Sequence, residues 1–306
     1  MAERHSSPES ELKAESGQGL NPEPGPPAEP DPSPESDLAP ELTATPEPGN
    51  EAVWKAILLG TDPSYARLRS RLKHLPSEPR CKMCAAPFRG PGRALMHLVG
   101  RVPWAKNPKY CGACFRTMNE NHGGAEIHAS FLFADVRGST SLAEQVSPTE
   151  FRRQLDRFYE TASHVLVEHD GIVDKFVGDE VVGMFIPAIA GEAHAARAID
   201  AALALLAATG HGSPGGSWIP IGIGVNTGLA FVGTVGPAPV TEMTALGDVV
   251  NTAARLASAA GPGELLMTAV AASAAGIDTG GHELRQLALK GKRDPTEVVV
   301  ATIAAR

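Results

Sequence analysis

Two acidic residues stand where a globular chain has little use for a charge. Asp135 ends the apolar run SFLFADV, and Asp179 follows Gly178 between two further apolar runs, GIVDKFV and VVGMFIP. A carboxylate at the end of a buried strand is costly unless it is paired, hydrogen-bonded or metal-bound. Two hard oxygen donors with no His or Cys beside them suit Mg2+ or Mn2+. A third segment, TALGDVVNTAARL, sets Asn251 and Arg255 four apart and so on one face of a helix. A fourth, LKGKRD, brings Lys290 and Lys292, which can attract a polyphosphate or simply form a charged turn. Each segment alone has a plainer reading. A strand-end Asp is often a cap or turn residue, and an Asn with an Arg is often a solvated helix face.

The four cysteines form a separate group. Cys81-x2-Cys84 and Cys111-x2-Cys114 are 26 residues apart. Two such knuckles fit a tetrahedral four-cysteine site of the zinc-ribbon kind, with one structural Zn2+ per chain. An iron–sulfur site or a redox pair are the alternatives, and His97 and His122 are possible substitute ligands. Trp104, Pro103 and Phe115 are expected to form the small core of this module. Arg80, Lys82, Arg89, Arg93, Arg101, Lys106, Lys109 and Arg116 surround it. A basic module of this kind can bind nucleic acid. The favoured reading is that it folds around zinc and packs on an acidic neighbour.

The elements that must position these groups follow from periodicity. Trp54, Ile57, Leu58, Tyr65, Leu68 and Leu72 recur at near-helical spacing. From Ile127 the chain alternates strand and helix: SFLFADV, a turn at RGST, a helix over about 148–169, and a β-hairpin around Gly178-Asp179. A helix over about 191–208 comes next, and strands IGIGVNTG and AFVGTVG are expected to pair across Gly228. Asp248 is expected to cap a helix reaching about Ala260, and ELLMT, HELRQLAL and TEVVVATI read as strands. The order β-α-β-β-α-β with added strands predicts an α+β, ferredoxin-like sandwich.

Together, FADVRGST, KFVGDE and ALGDVVNTAARL resemble the class III adenylate/guanylate cyclase catalytic domain, over about residues 127–303. The resemblance implies that Asp135 and Asp179, with the Val136 carbonyl, bind two Mg2+ or Mn2+ per active site. It places Lys175 and Thr244 at the two base-reading positions and Asn251 and Arg255 at the transition-state pair. Lys290, or else Lys292, falls on the polyphosphate lysine. Lys175 has donors only, which suits the N1 acceptor of adenine and opposes the N1–H of guanine. The expected reaction is therefore ATP to cyclic AMP and pyrophosphate. Thr244 stands where Asp is commoner, as in a bacterial-type subgroup that often responds to bicarbonate, and Leu229 replaces a phosphate-binding Arg found in some members. In the family the two sets of residues come from different catalytic domains. One such domain per chain thus implies a head-to-tail homodimer, with residues 231–236 and 248–260 near the interface. Guanylate cyclase activity, and a catalytically weak zinc-dependent binding or regulatory protein, are the alternatives.

Composition bounds the rest. The 306 residues divide at about 50 and 126 into an acidic Pro-rich tail of net charge −9, a module of +8 and a catalytic region of −7. Eleven of the 26 prolines lie in residues 1–50, which are expected to be disordered. The start lacks a signal-peptide core, and no uncharged apolar run approaches the ~18 residues that span a bilayer. The expectation is a cytoplasmic protein without a membrane segment.

Overall fold

The structure, a computed structural model, describes residues 50–75, 79–116, 122–236 and 242–303. The tail expected over residues 1–50 lies outside them except for Asn50. Two helices come first, Glu51–Leu59 and Pro63–Leu72. Gly60 takes a φ of 72° and closes the first, and Asp62 accepts from the Ser64 N–H to open the second behind Pro63. A helix Gly92–Leu98 leads to the small hairpin of β1 (Pro103–Trp104) and β2 (Asn107–Cys111).

The main sheet starts with β3 (Gly124–Val136), three residues before the expected change of texture. Helices Ser139–Gln145 and Pro148–Glu168 lead to β4 (Ile172–Val177) and β5 (Glu180–Phe185). Helices Pro187–Ala190 and His194–Ala208 lead to β6 (Ile221–Val235) and β7 (Glu242–Leu246). Helix Asp248–Ala259, β8 (Glu264–Thr268), helix Ala269–Ala274, β9 (Glu283–Leu287) and β10 (Thr296–Thr302) complete the chain. The strand order is β4-β5-β3-β6-β8-β10-β9, with β7 paired to β6. β3 lies antiparallel between β5 and β6, as the ferredoxin-like βαββαβ order requires.

SFLFADV lacks polar alternation because both of its faces are covered. Leu132, Ala134 and Val136 join Phe158, Leu166 and Leu205 of the long helices, while Phe131 and Phe133 face the other way. Phe158, Ala162, Val165 and Leu166 give the Pro148–Glu168 helix its buried stripe. On the second face the same apolar cluster takes in Ile127, Phe131, Phe133, Val182 and Met184 together with Trp54, Ile57, Leu58, Tyr110 and Phe115. The cysteine module and the sheet thus share one core, and all described residues fall in one compact unit.

Three local expectations are corrected. Gly228 makes no turn: β6 runs unbroken through it, opposite Ala129 of β3. A Cβ there would come within 3.3 Å of Val249, so this glycine admits the Asp248–Ala259 helix. Asp248 does not cap that helix. The cap is Gly247, at a φ of 146°, and Asp248 is the first helical residue, with its carboxylate turned to Lys292. Pro103 is exposed, whereas Trp104 stacks on Phe115 at 4.3 Å between ring centroids.

Candidate functional site

The pairing of β3 with β5 decides where the two key carboxylates lie. Asp135 stands opposite Glu180, and the Val136 N–H donates to the Asp179 carbonyl at 3.3 Å. Asp135 and Asp179 therefore share one end of the sheet. Val136 closes the strand there, its side chain buried. Gly178, at a φ of 61°, makes the two-residue turn that presents Asp179. Tyr159 fixes this turn from the long helix: its hydroxyl donates to the Gly178 carbonyl and its ring stacks on Phe176.

Negative charge accumulates at this end. Burial pushes the Asp135 carboxyl up, and nearby Asp179 adds to the effect, against the opposing pull of Arg137. Glu180 is pushed up to about 7 by burial and by the two aspartates. Arg137 pairs with Asp135 and donates to the Ser258 carbonyl at 2.9 Å. Asp135 and Asp179 are oxygen donors of the kind a divalent cation takes, but with Glu180 they do not converge into a three-ligand group; among the described residues only the four cysteines do.

A second cluster centres on Asp174. Its Oδ2 accepts from Thr244 Oγ1 at 2.9 Å and lies 3.9 Å from Lys175 Nζ. The two base-reading candidates, 69 positions apart in the chain, are thereby joined. Lys175 also pairs with Glu242 at 3.3 Å. A cleft of about 560 Å³ opens beside them, lined by Lys106, Ser163, His164, Asp174, Lys175 and Phe176.

The third cluster lies on the Asp248–Ala259 helix. Asn251 is exposed and Arg255 half-buried. The Arg255 guanidinium rests on the turn of Gly291, where a Cβ would come within 3.3 Å. Lys292 in this turn is tied to Asp248, whereas Lys290 is exposed. Among the described residues, no hydrogen bond or ion pair joins the Asp135–Asp179 cluster to the side chains of the other two. Leu229, 51% exposed, lies on β6.

Cys81, Cys84, Cys111 and Cys114 are all buried and unbridged, and their sulfurs lie within 4.8 Å of one another. Neighbouring sulfurs are 3.4, 3.6 and 3.9 Å apart. Tetrahedral coordination with ~2.3 Å metal–sulfur bonds requires edges of about 3.8 Å. The four thiols are thus already spaced for one ion. His97 is exposed and outside the cluster. Arg101 approaches Cys84 Sγ at 3.4 Å. Several of the basic residues around the module make contacts within the protein: Lys82 with Asp170, Lys106 with Asp174, Lys109 with Glu168, and Arg80 with the Leu72 carbonyl.

Sequence reading gave no site role to Arg137, Glu180, Asp174 and Tyr159, and named Lys106 only among the basic residues around the cysteine module. The first three flank residues it singled out, so immediate adjacency to a site residue was the available signal. No helix among the described residues is long and apolar enough to cross a membrane.

Residues 125–301 match the family described as "Adenylate and Guanylate cyclase catalytic domain". The chain is 35% identical over 131 residues to adenylate cyclase 1 of Rhizobium meliloti (strain 1021), covering 41% of this chain and 20% of that protein. It therefore spans about a fifth of that relative's length. Its structure is similar to the guanylyl cyclase Cya2 (TM-score 0.53, 28% identity, 60% of this chain and 95% of that one). It is also similar to the adenylyl cyclase CyaB from P. aeruginosa (TM-score 0.51, 27% identity, 60% and 97%).

Proposed function

Because the chain belongs to the adenylate and guanylate cyclase catalytic domain family, we propose that it converts ATP to 3′,5′-cyclic AMP and pyrophosphate as a homodimer. The observation that carries this reading is the meeting of Asp135 and Asp179 at one end of the sheet, on either side of the β3–β5 pairing. When bound there, two Mg2+ or Mn2+ supply Lewis acidity that activates the ribose 3′-hydroxyl and offsets charge on the leaving pyrophosphate. The 3′-oxygen attacks the α-phosphorus in line, the bond to the β-phosphate oxygen breaks, and the hydroxyl proton passes to solvent. Arg255 stabilises charge gathering on the α-phosphate, Asn251 orients the ribose, and exposed Lys290 takes the polyphosphate. Lys292 is the weaker candidate because Asp248 already occupies it.

Adenine is favoured over guanine by Lys175, whose ammonium only donates. The homodimer is supported by the lack, among the described residues, of any hydrogen bond or ion pair from the Asp135–Asp179 cluster to the side chains of the other two: a second copy turned head to tail would bring the two sets of residues to one nucleotide. Phe176, Val177, Leu229 and Leu246, each 44–52% exposed, give such a contact apolar surface. The four thiols fit one structural Zn2+.

The test is direct. Full-length protein incubated with Mn2+ and equal ATP and GTP should release mainly cyclic AMP, and Asp135→Ala or Asp179→Ala should abolish it. Absence of any cyclic nucleotide with any divalent cation would end the reading. Preference for GTP would move it to the guanylate class.

A further inference from the structure

Lys106 reaches out of the cysteine module into the strand that carries Lys175. It lies in the turn between β1 and β2. Its ammonium donates to the carbonyls of Asp174 at 2.9 Å and Met243 at 3.2 Å, and stands 3.4 Å from Asp174 Oδ1. The Asp174 side chain is only 5% exposed. Its position is unusual for a local reason. The register of β4 against β5 slips between Val173 and Lys175, which makes Asp174 the extra residue of a bulge. The Val173 N–H donates to the Lys106 carbonyl at 3.1 Å. The module's backbone therefore holds the bulge, and its side chain holds the carboxylate that the bulge turns inward.

We propose that Lys106 and Asp174 are positioning residues that set the hydrogen-bond polarity of the nucleotide-reading pair: Asp174 accepts the hydrogen bond that the Thr244 hydroxyl can donate, and Lys106 occupies Asp174 so that Lys175 remains available to the base. A threonine hydroxyl has one proton and two lone pairs. With that hydrogen bond donated to Asp174 at 2.9 Å, Thr244 presents only an acceptor to an incoming base. The 6-amino group of adenine donates, and the 6-oxo group of guanine accepts. Thr244 then opposes guanine for the same reason that Lys175 does, and the two discriminations reinforce each other. Lys106 protects the arrangement. A buried carboxylate that loses its counter-charge recruits another, and the nearest remaining ammonium is Lys175, 3.9 Å away. Without Lys106 that ammonium is drawn onto Asp174 and away from the base. The inference rests on the reading above that Lys175 and Thr244 face the base.

The experiment is a double-mutant cycle on the full chain with Mn2+, reading kcat and KM for ATP and for GTP. Asp174→Asn keeps the shape but lets an amide donate to Thr244, freeing the hydroxyl proton. The ATP-over-GTP preference in kcat/KM should fall about tenfold, mainly through a raised ATP KM. Thr244→Val should act similarly, and Asp174→Asn/Thr244→Val should be no worse than Thr244→Val alone. Lys106→Met should reproduce part of the loss and Lys106→Arg should recover it. Thermal unfolding run in parallel separates these effects from folding. Unchanged preference in Asp174→Asn alongside a changed one in Thr244→Val, or effects that simply multiply, would overturn the inference. So would failure of both Asp174→Asn and Lys106→Met to fold, which would make the pair purely structural. If Lys175→Ala and Thr244→Val both leave the preference untouched, the base-reading assignment itself has failed, which is a different and recognisable result.

Discussion

Replacing Trp54 by alanine tests whether the cysteine module and the catalytic sheet are one cooperative body. Trp54 is 1% exposed and lies in the first helix, which rests on β3 and on the Pro187–Ala190 helix. It belongs to the apolar cluster that contains Ile127, Phe131 and Phe133 of β3. Truncating a buried Trp costs about 3–5 kcal/mol. In a domain of this size each kcal/mol lowers Tm by about 2–4 °C, so the expected drop is roughly 6–20 °C. Among the described residues the indole Nε1–H has no hydrogen-bond partner, so Trp54→Phe leaves none of their acceptors unmet and should cost distinctly less. Calorimetry of the full chain should show one transition that moves as a whole, and the temperature at which cyclase activity is lost should move with it. Two transitions, with activity following an unshifted one, would refute the shared core. By the same reasoning, a fragment beginning at residue 127 should fold poorly, because it cuts into β3 and uncovers one face of the sheet.

Four further outcomes are expected. Asn251→Ala or Arg255→Ala should lower kcat about 10²–10³-fold with little change in Tm, since neither side chain is part of the core; a loss confined to KM would contradict their assignment. Lys290→Ala should raise the ATP KM about tenfold, and Lys292→Ala should raise it far less, as steady-state kinetics on the two variants will show. A thiol-competing chelator or Cys81→Ser should release one metal ion per chain, measured by elemental analysis, and lower Tm; metal-free protein indifferent to chelator would refute a structural ion. Burial lowers His194 and His211 below the ordinary 6.5, with His128 adding to the effect at His194 and Glu192 opposing it. At these two positions the folded state binds fewer protons than the unfolded one, so their own contribution to stability is complete above neutrality and falls as pH drops through about 6.5, while Glu180, raised to about 7, acts in the opposite direction. Denaturant titrations at stepped pH should therefore show the histidine contribution as a difference: His194→Gln/His211→Gln should lose less stability than the parent protein on going below pH 6.5.

What was legible in the sequence was whatever broke a period. Asp135 and Asp179 stood out because a charge inside an apolar run needs a reason, and the strand-helix order gave the ferredoxin-like sheet because its long elements are strongly patterned. Gly228 misled because a glycine between two apolar stretches looks the same whether it bends the chain or admits a helix; only the approach of Val249 distinguishes them. Asp248 misled similarly, since its partner Lys292 lies 44 positions further on. Lys106 was hidden among 13 basic residues of its segment, and its partner Asp174 follows 68 positions later. Pairings of that range are set by the fold, and local sequence carries no trace of them.

The charge asymmetry raises the question of what seats the module on the sheet. Residues 51–126 carry +8 and residues 127–306 carry −7, and the contacts match: Lys82 meets Asp170, Lys109 meets Glu168, and Lys106 meets Asp174. The first two pairs are partly solvated, with Lys82 46% and Glu168 56% exposed. Such pairs contribute about 0–1 kcal/mol each and weaken with salt. Against that stand the buried bonds from Asn107 Nδ2 to the Gly171 carbonyl at 2.7 Å and from the Tyr110 hydroxyl to the Ile189 carbonyl at 3.0 Å. Each is worth about 1 kcal/mol net and costs more than that when one partner is removed. The burial of Trp54, Tyr110 and Phe115 outweighs both, at about 1.5–3 kcal/mol or more per side chain. Apolar burial therefore holds the module in place, and the complementary charges steer its approach. The exception is the Lys106–Asp174 pair, where a carboxylate only 5% exposed makes the lysine indispensable to its surroundings. High salt should accordingly leave the module docked, and the one electrostatic contact it should spare is the one beside Lys175.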